Sequence, residues 1–166
     1  LNIASRVATI SLPDANWNGS ETITFRATDP GGLYDEESTI FTVTAVNDAP
    51  VVADIPNQTI PEGSLFATIT LDNFVTDVDN SDPQINWTCS GNTQLTVSIV
   101  SRIATIMIPN ADWNGAETIT FRAADPGGLF DTDPATFTVT ATNDPPVVDD
   151  ISNQSIAEGG TFTSIS

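Results

Sequence analysis

PNADWNGAETITFRAADPGGLFD, residues 109–131, decides the fold twice over. Its middle, Glu117–Ala124, alternates apolar and polar residues, with Ile119 and Phe121 on one face, the period-two pattern of a half-buried strand. Turn chemistry flanks it: Asn-Gly before and Asp-Pro-Gly-Gly after. The same stretch has already occurred once, as PDANWNGSETITFRATDPGGLYD at residues 13–35. Extended outward, residues 1–70 align with 97–166 at a constant offset of 96 without a gap, and 43 of the 70 pairs are identical. FTVTAVNDAPVVADIPNQTIPEGSLF (41–66) returns as FTVTATNDPPVVDDISNQSIAEGGTF (137–162). A unit of this length is an ordinary β-sandwich size.

The phase of the unit comes from its prolines. In VNDAPVV and TNDPPVV proline cannot continue a ladder and pushes the residue before it to an extended shape, so both read as short stiff connectors. The expected division is residues 1–48 as the second half of one sandwich, 49–144 as a complete one, and 145–166 as the opening of a third. Within 49–144 seven strands are expected, near 51–60 (broken around Pro56), 65–71, 85–90, 95–100, 102–108, 117–124 and 135–142. The inward candidates are Phe66, Ile69, Ile85, Trp87, Cys89, Ile119, Phe121, Phe137 and Val139. No stretch sustains a helical period. The expectation is all-β: tandem seven-stranded, antiparallel Greek-key sandwiches.

Charge narrows the function. Twenty-two acids face four arginines, with no lysine and no histidine, for a net charge of −18. Binding to nucleic acid or an anionic membrane needs a basic patch, which this balance excludes. Without histidine there is no Ser-His-Asp or Cys-His catalysis and no ordinary zinc or copper site; without lysine there is no Schiff base. The single Cys89 allows no internal disulfide and reads as a small hydrophobe. No apolar run approaches the length of a membrane span. No signal peptide is visible at Leu1, and the expectation is a piece of a longer chain whose targeting signals lie elsewhere.

The acids gather where strands end. In an up-and-down sandwich the connections alternate between two ends. Asp48, Asp77, Asp79 and Asp125 are expected at the leading end, facing the preceding repeat. Glu62, Asp112, Glu117 and Asp144 are expected at the trailing end, facing the next. Four neighbouring carboxylates repel unless they protonate or recruit a cation. Oxygen ligands without sulfur or imidazole suit Ca²⁺.

VTDVDN at 75–80, ADPGG at 124–128, PEG at 61–63 and the exit motif ND(A/P)P together resemble the calcium-binding pattern of cadherin-like domains, above all the tandem repeats of large bacterial and archaeal surface proteins. The resemblance covers the whole chain. It implies a seven-stranded sandwich with Ca²⁺ at the domain junctions and an extracellular or cell-surface location. By that likeness Glu62 is the early glutamate, Asp77 and Asp79 the paired aspartates, Asp125 the aspartate before the glycines, and Asn47/Asp48 and Asn143/Asp144 the linker pairs. The linker is shorter than in animal cadherins, and DWNG replaces the acidic motif between the fifth and sixth strands, which implies one or two ions per junction.

The expected function is a structural link in a calcium-rigidified extracellular stalk, adhesin or fibre, with no enzymatic activity. Its partners are the neighbouring repeats of the same chain, with head-to-tail self-assembly into a fibre as a variant. The alternatives are a carbohydrate- or surface-binding accessory module, in which Trp17 or Trp113 would stack on a sugar, and an accessory domain of a secreted hydrolase. Solvating charge is the bland reading of the acids. The sequons at Asn18, Asn57, Asn86 and Asn153 are no more frequent than chance gives, and the Thr-x-Thr pairs are explained by exposed strand faces rather than by ice binding.

Overall fold

A computed structural model describes residues 1–165. Apart from two short 3-10 turns, Leu71–Phe74 and Asp82–Gln84, its regular structure is all strand. Residues 1–43 make two separate hairpins. β1 (Asn2–Ala4) pairs with β2 (Val7–Thr9), and β3 (Gly19–Thr28) pairs with β4 (Tyr34–Val43).

Residues 51–140 form a sandwich from β5 (Val51–Val52), β6 (Gln58–Pro61), β7 (Ile69–Thr70), β8 (Val75–Thr76), β9 (Asn86–Ser90), β10 (Thr96–Val100), β11 (Ile103–Met107), β12 (Gly115–Ala124) and β13 (Phe130–Thr140). One sheet has the order β6-β13-β12-β9; the other has β10-β11-β7, beside the short β5-β8 ladder. Each of the seven expected strands has a counterpart.

The first strand is broken around Pro56, as expected, into β5 and β6. Two details depart from expectation: β6 runs parallel to β13, so the sandwich is not wholly antiparallel, and the second strand is short. Residues 53–57 between β5 and β6 belong to no strand, and after the Ala53 amide donates to the Phe74 carbonyl at 2.8 Å the ladder lapses. Side chains replace it. The Val52 amide donates to Asp131 Oδ2 at 2.8 Å, the Ile55 amide to Asp133 Oδ2 at 2.9 Å, and the Thr136 amide to Asn57 Oδ1 at 2.6 Å. The second strand shrinks from the expected 65–71 to Ile69–Thr70 because the Gln58 amide takes its place. Gln58 Oε1 accepts from the Ala67 amide at 2.8 Å, and Nε2 donates to the Ala67 carbonyl at 3.1 Å.

The core follows the alternation. Phe66, Ile69, Ile85, Trp87, Ile119, Phe121, Phe137 and Val139 are buried, and Cys89 is half-buried. Phe137 sits edge-on to Phe66 (ring centroids 5.3 Å apart) and to Phe121 (6.4 Å). Each such ring contributes about 1.5–3 kcal/mol by leaving water. β10 and β11 are joined through Ser101 and Arg102, at φ 50° and 61°, the geometry of a two-residue type I′ hairpin. Arg102 is held there by Asp72, whose carboxylate accepts from Nε at 2.7 and 2.9 Å.

Candidate metal centre

At the leading end, strand pairing stops at Thr76 and the chain turns on Asp77. Asp77 Oδ1 accepts from the amides of Asp79 and Asn80, both at 2.8 Å, and from Asn80 Nδ2 at 3.2 Å. A short acceptor side chain folding the backbone beyond it is what makes aspartate a turn former. Across from it, Asp125 opens the turn between β12 and β13. Its Oδ1 accepts from the Leu129 amide at 2.9 Å, and Gly128 takes φ +92°. The linker lies on both loops. Asn47 Nδ2 donates to Asp125 Oδ2 at 2.6 Å, and the Asp48 amide donates to Asp79 Oδ2 at 2.8 Å. Gly127 allows that approach, since a Cβ there would stand 2.9 Å from Asn47 Nδ2.

Hydrogen bonds therefore link Asn47 to Asp125, Asp48 to Asp79 and Asp79 to Asp77, although no three of the carboxylates at this end bring oxygens within 4.8 Å of one another. Asn80 and Gly127, which the sequence reading passed over, belong to the same group; the signal for Asn80 was its place directly after the Asp77/Asp79 pair. Two features fit a cation. Asp125 is only 6% exposed, and Asp77 Oδ2 is buried with no hydrogen-bond partner. A buried carboxylate oxygen without a partner is costly. The ion pairs among the described residues lie elsewhere, Arg102 with Asp72 and Arg26 with Glu36. An all-oxygen donor set of aspartates and an asparagine suits Ca²⁺.

At the trailing end, oxygens of Glu62, Asp112 and Asp144 lie within 4.8 Å of one another, the one such trio among the described residues. Backbone contacts assemble it. The Glu62 amide donates to the Thr140 carbonyl at 2.9 Å, the Gly63 amide to the Ala111 carbonyl at 3.2 Å, and the Thr142 amide to Glu62 Oε2 at 2.8 Å. Asn143 is beside it, bonded through Nδ2 to the Asp144 carbonyl at 3.3 Å.

Glu117, expected with this trio, is engaged elsewhere. Its carboxylate accepts from the amides of Thr93 (3.0 Å), Gln94 (2.7 Å) and Leu95 (3.0 Å) and from the Thr93 hydroxyl. Burial pushes this carboxyl up, but the Thr93 hydroxyl and the three amides outweigh it and hold it below the usual range. It closes the loop between β9 and β10 over the core.

A family model described as a bacterial Ig domain matches residues 47–140, more than half of the chain. The chain belongs to the bacterial Ig domain family. Among solved structures, this bacterial Ig domain chain is similar to protocadherin gamma B2 extracellular cadherin domains 3–6, with 21% identity and a TM-score of 0.48 over 75% of this chain and 32% of that one. It is also similar to the human desmocollin-1 ectodomain, with 19% identity and a TM-score of 0.42 over 70% of this chain and 26% of that one. An endo-fucoidan hydrolase of glycoside hydrolase family 107 matches with 18% identity and a TM-score of 0.41 over 76% of this chain and 23% of that one. The chain thus spans a third or less of the length of these structures. No curated protein matches it.

The other chemical candidates in this Ig domain chain are occupied by packing. Trp113 is half-buried against the core, with its ring over Gly115, where a Cβ would come within 3.0 Å. Burial pushes the Cys89 thiol up, away from the reactive thiolate. No described helix is long and apolar enough to cross a membrane.

Proposed function

We propose that the protein is a structural repeat module of an extracellular or cell-surface stalk, adhesin or fibre, and that Ca²⁺ at its domain junctions sets the angle between successive sandwiches. The observation that carries this reading is the orphaned, buried Asp77 Oδ2, at an end of the sandwich where the linker is bonded to both loops. Asp77, Asp79, Asp125 and the Asn47/Asp48 linker would hold the ion at one junction; Glu62, Asp112 and Asp144 would serve the next. Bound there, the ion supplies the positive charge that lets these carboxylates lie together. Asp-Ala-Pro and Asp-Pro-Pro are too short to flex far but cannot alone fix an angle. The neighbouring repeats of the same chain are the partners, and the role is not enzymatic.

Extracellular modules bind Ca²⁺ with dissociation constants of about 10⁻⁴–10⁻³ M. About 10 mM calcium then adds roughly 1.4–2.7 kcal/mol per site to a fold that alone binds it. Small-angle scattering on a chain of several repeats should give a rod in calcium and a shorter, bending particle in chelator. Calorimetry on the double substitution Asp77→Asn and Asp79→Asn should show lost calcium stoichiometry in a sandwich that still folds. Equal maximum dimensions with and without calcium, or unchanged stoichiometry, would refute the reading.

A further inference from the structure

Residues 83–111 contain no acid, in a chain with 22 of them, and their one charged side chain is Arg102. This strip carries β9, β10 and β11. β9 ends the four-stranded sheet and β10 ends the three-stranded one, so both sheets stop on this flank. The acids bonded to the strip are already engaged. Asp72 is paired with Arg102, and Glu117 is enclosed by the Thr93 hydroxyl and three amides.

The opposite flank, where the sheets end at β6 and β7, is built differently. Pro56 precedes β6 and Pro61 ends it, β7 is two residues long with Asp72 beyond it, and Gln58 spans the gap to Ala67. Prolines, charges and very short strands are what stop a sheet edge from pairing with another chain. β10 has none of them. It is uncharged, has no proline or glycine, and four of its five residues are β-branched. Val100, at its end, is 67% exposed. The two-residue hairpin makes Val100↔Ile103 a hydrogen-bonded pair, so alternation turns the amides and carbonyls of Thr96, Ser98 and Val100 toward β11. Those of Val97 and Ile99 point to the open edge, where no strand lies among the described residues.

We propose that β10 pairs with β10 of a second copy, antiparallel across a two-fold axis. The outward groups fit that partner. With Ser98 opposite Ser98, Val97 of each copy faces Ile99 of the other, and each such pair exchanges two N–H···O bonds. Charge selects the same approach: two chains of net charge −18 come together with least repulsion along a strip that carries no acid. The contact is isologous, so one repeat closes as a dimer. Strands run from end to end of the sandwich, so the two copies lie side by side and point in opposite directions. In a chain of several repeats each presents this edge again, and contacts that are weak singly add along the pair.

Sedimentation equilibrium of the full chain in chelator, at about 0.15 M salt to screen charge beyond about 8 Å, tests the pairing apart from any calcium. The weight-average mass should climb from 17.5 kDa toward twice that value between about 10 μM and about 1 mM. Within β10 only Ser98 meets itself across the axis. Ser98→Glu and Ser98→Lys should therefore each weaken association by about tenfold or more, since like charges directly opposite resist pairing, with the strand signal in circular dichroism retained. Mixed in equal amounts the two variants should recover association, because glutamate then faces lysine. A wild-type chain that stays monomeric, single variants that associate as the wild type does, or a mixture no more associated than its components would each overturn the proposal.

Discussion

Residues 1–48 and 97–144 are near-copies of one sequence in two surroundings. Both form the same hairpins. β3 pairs with β4 from Gly19↔Val43 to Thr28↔Tyr34, and β12 pairs with β13 from Gly115↔Val139 to Ala124↔Phe130, the same register shifted by 96. Both turns from Asp29 and Asp125 hold the amide four residues on at 2.9 Å. Even the strained pair is repeated, with Ser5 and Arg6 at φ 50° and 65°. Burial differs: Ile106 is 3% exposed and its counterpart Ile10 is 38%. Hairpin geometry is therefore local, written in alternation and turn residues, whereas burial belongs to the strands before β10. The same substitution made in each copy separates the two.

The largest contrast should come from the core ring. Phe121→Ala should cost the sandwich about 3–5 kcal/mol, a large part of a domain's total stability, while Phe25→Ala leaves its unfolding transition nearly unmoved. Urea titration of each variant measures this; equal shifts would mean that residues 1–48 are packed as tightly as the complete domain.

Glu117→Gln comes next. The amide nitrogen it introduces faces donor amides, so a loss of about 1–2 kcal/mol is expected, against about zero in this chain for Glu21→Gln, whose carboxylate accepts no hydrogen bond among the described residues. Because the folded Glu117 carboxyl lies below its usual range, its contribution is complete above the unfolded value of about 4.3. It disappears as pH falls through the folded value. Wild type and Glu117→Gln should therefore converge in stability on acidification, as thermal melts across pH would record.

Arg102→Ala removes the partner of Asp72 and should cost about 1 kcal/mol. Arg6→Ala should change little, and a chemical-denaturation series on both variants reads the difference. The smallest effect should be equal in the two copies. Arg26 stacks over Tyr34 at 3.5 Å and Arg122 over Phe130 at 3.9 Å, both on exposed sheet faces. Each alanine replacement should cost about 0.5–1 kcal/mol of local stability, measured by amide exchange in the adjoining turn.

The strands were legible because each hides every second residue, and the repeat supplied the same reading twice. The parallel course of β6 was not legible, since nothing in Gln58–Pro61 says which neighbour it will meet. The acids divide by phase. Asp77, Asp79, Asp125, Glu62, Asp112 and Asp144 lie in connections and come together at the two ends. Glu117, Asp131 and Asp133 lie on strands in step with the buried Ile119, Ala135 and Phe137, and each is consumed by backbone amides of its own sandwich. An acid in the inward phase of a strand was the signal that it serves the fold; grouping Glu117 by proximity to a loop overlooked that phase.

The parallel pairing of β6 with β13 sets how the module responds to pulling. These are the first and last strands of one sheet, lying side by side and pointing the same way. Tension drawn through the chain pulls β6 toward its N-terminus and β13 toward its C-terminus, so the two slide past each other. Their hydrogen bonds are then loaded together in shear, whereas antiparallel terminal strands would peel apart bond by bond. The Asp131 and Asp133 carboxylates on β13, gripping Val52 and Ile55, lie in the same loaded line. Forced unfolding is governed by the rate of crossing its barrier rather than by equilibrium stability, and here the barrier is the simultaneous rupture of that seam.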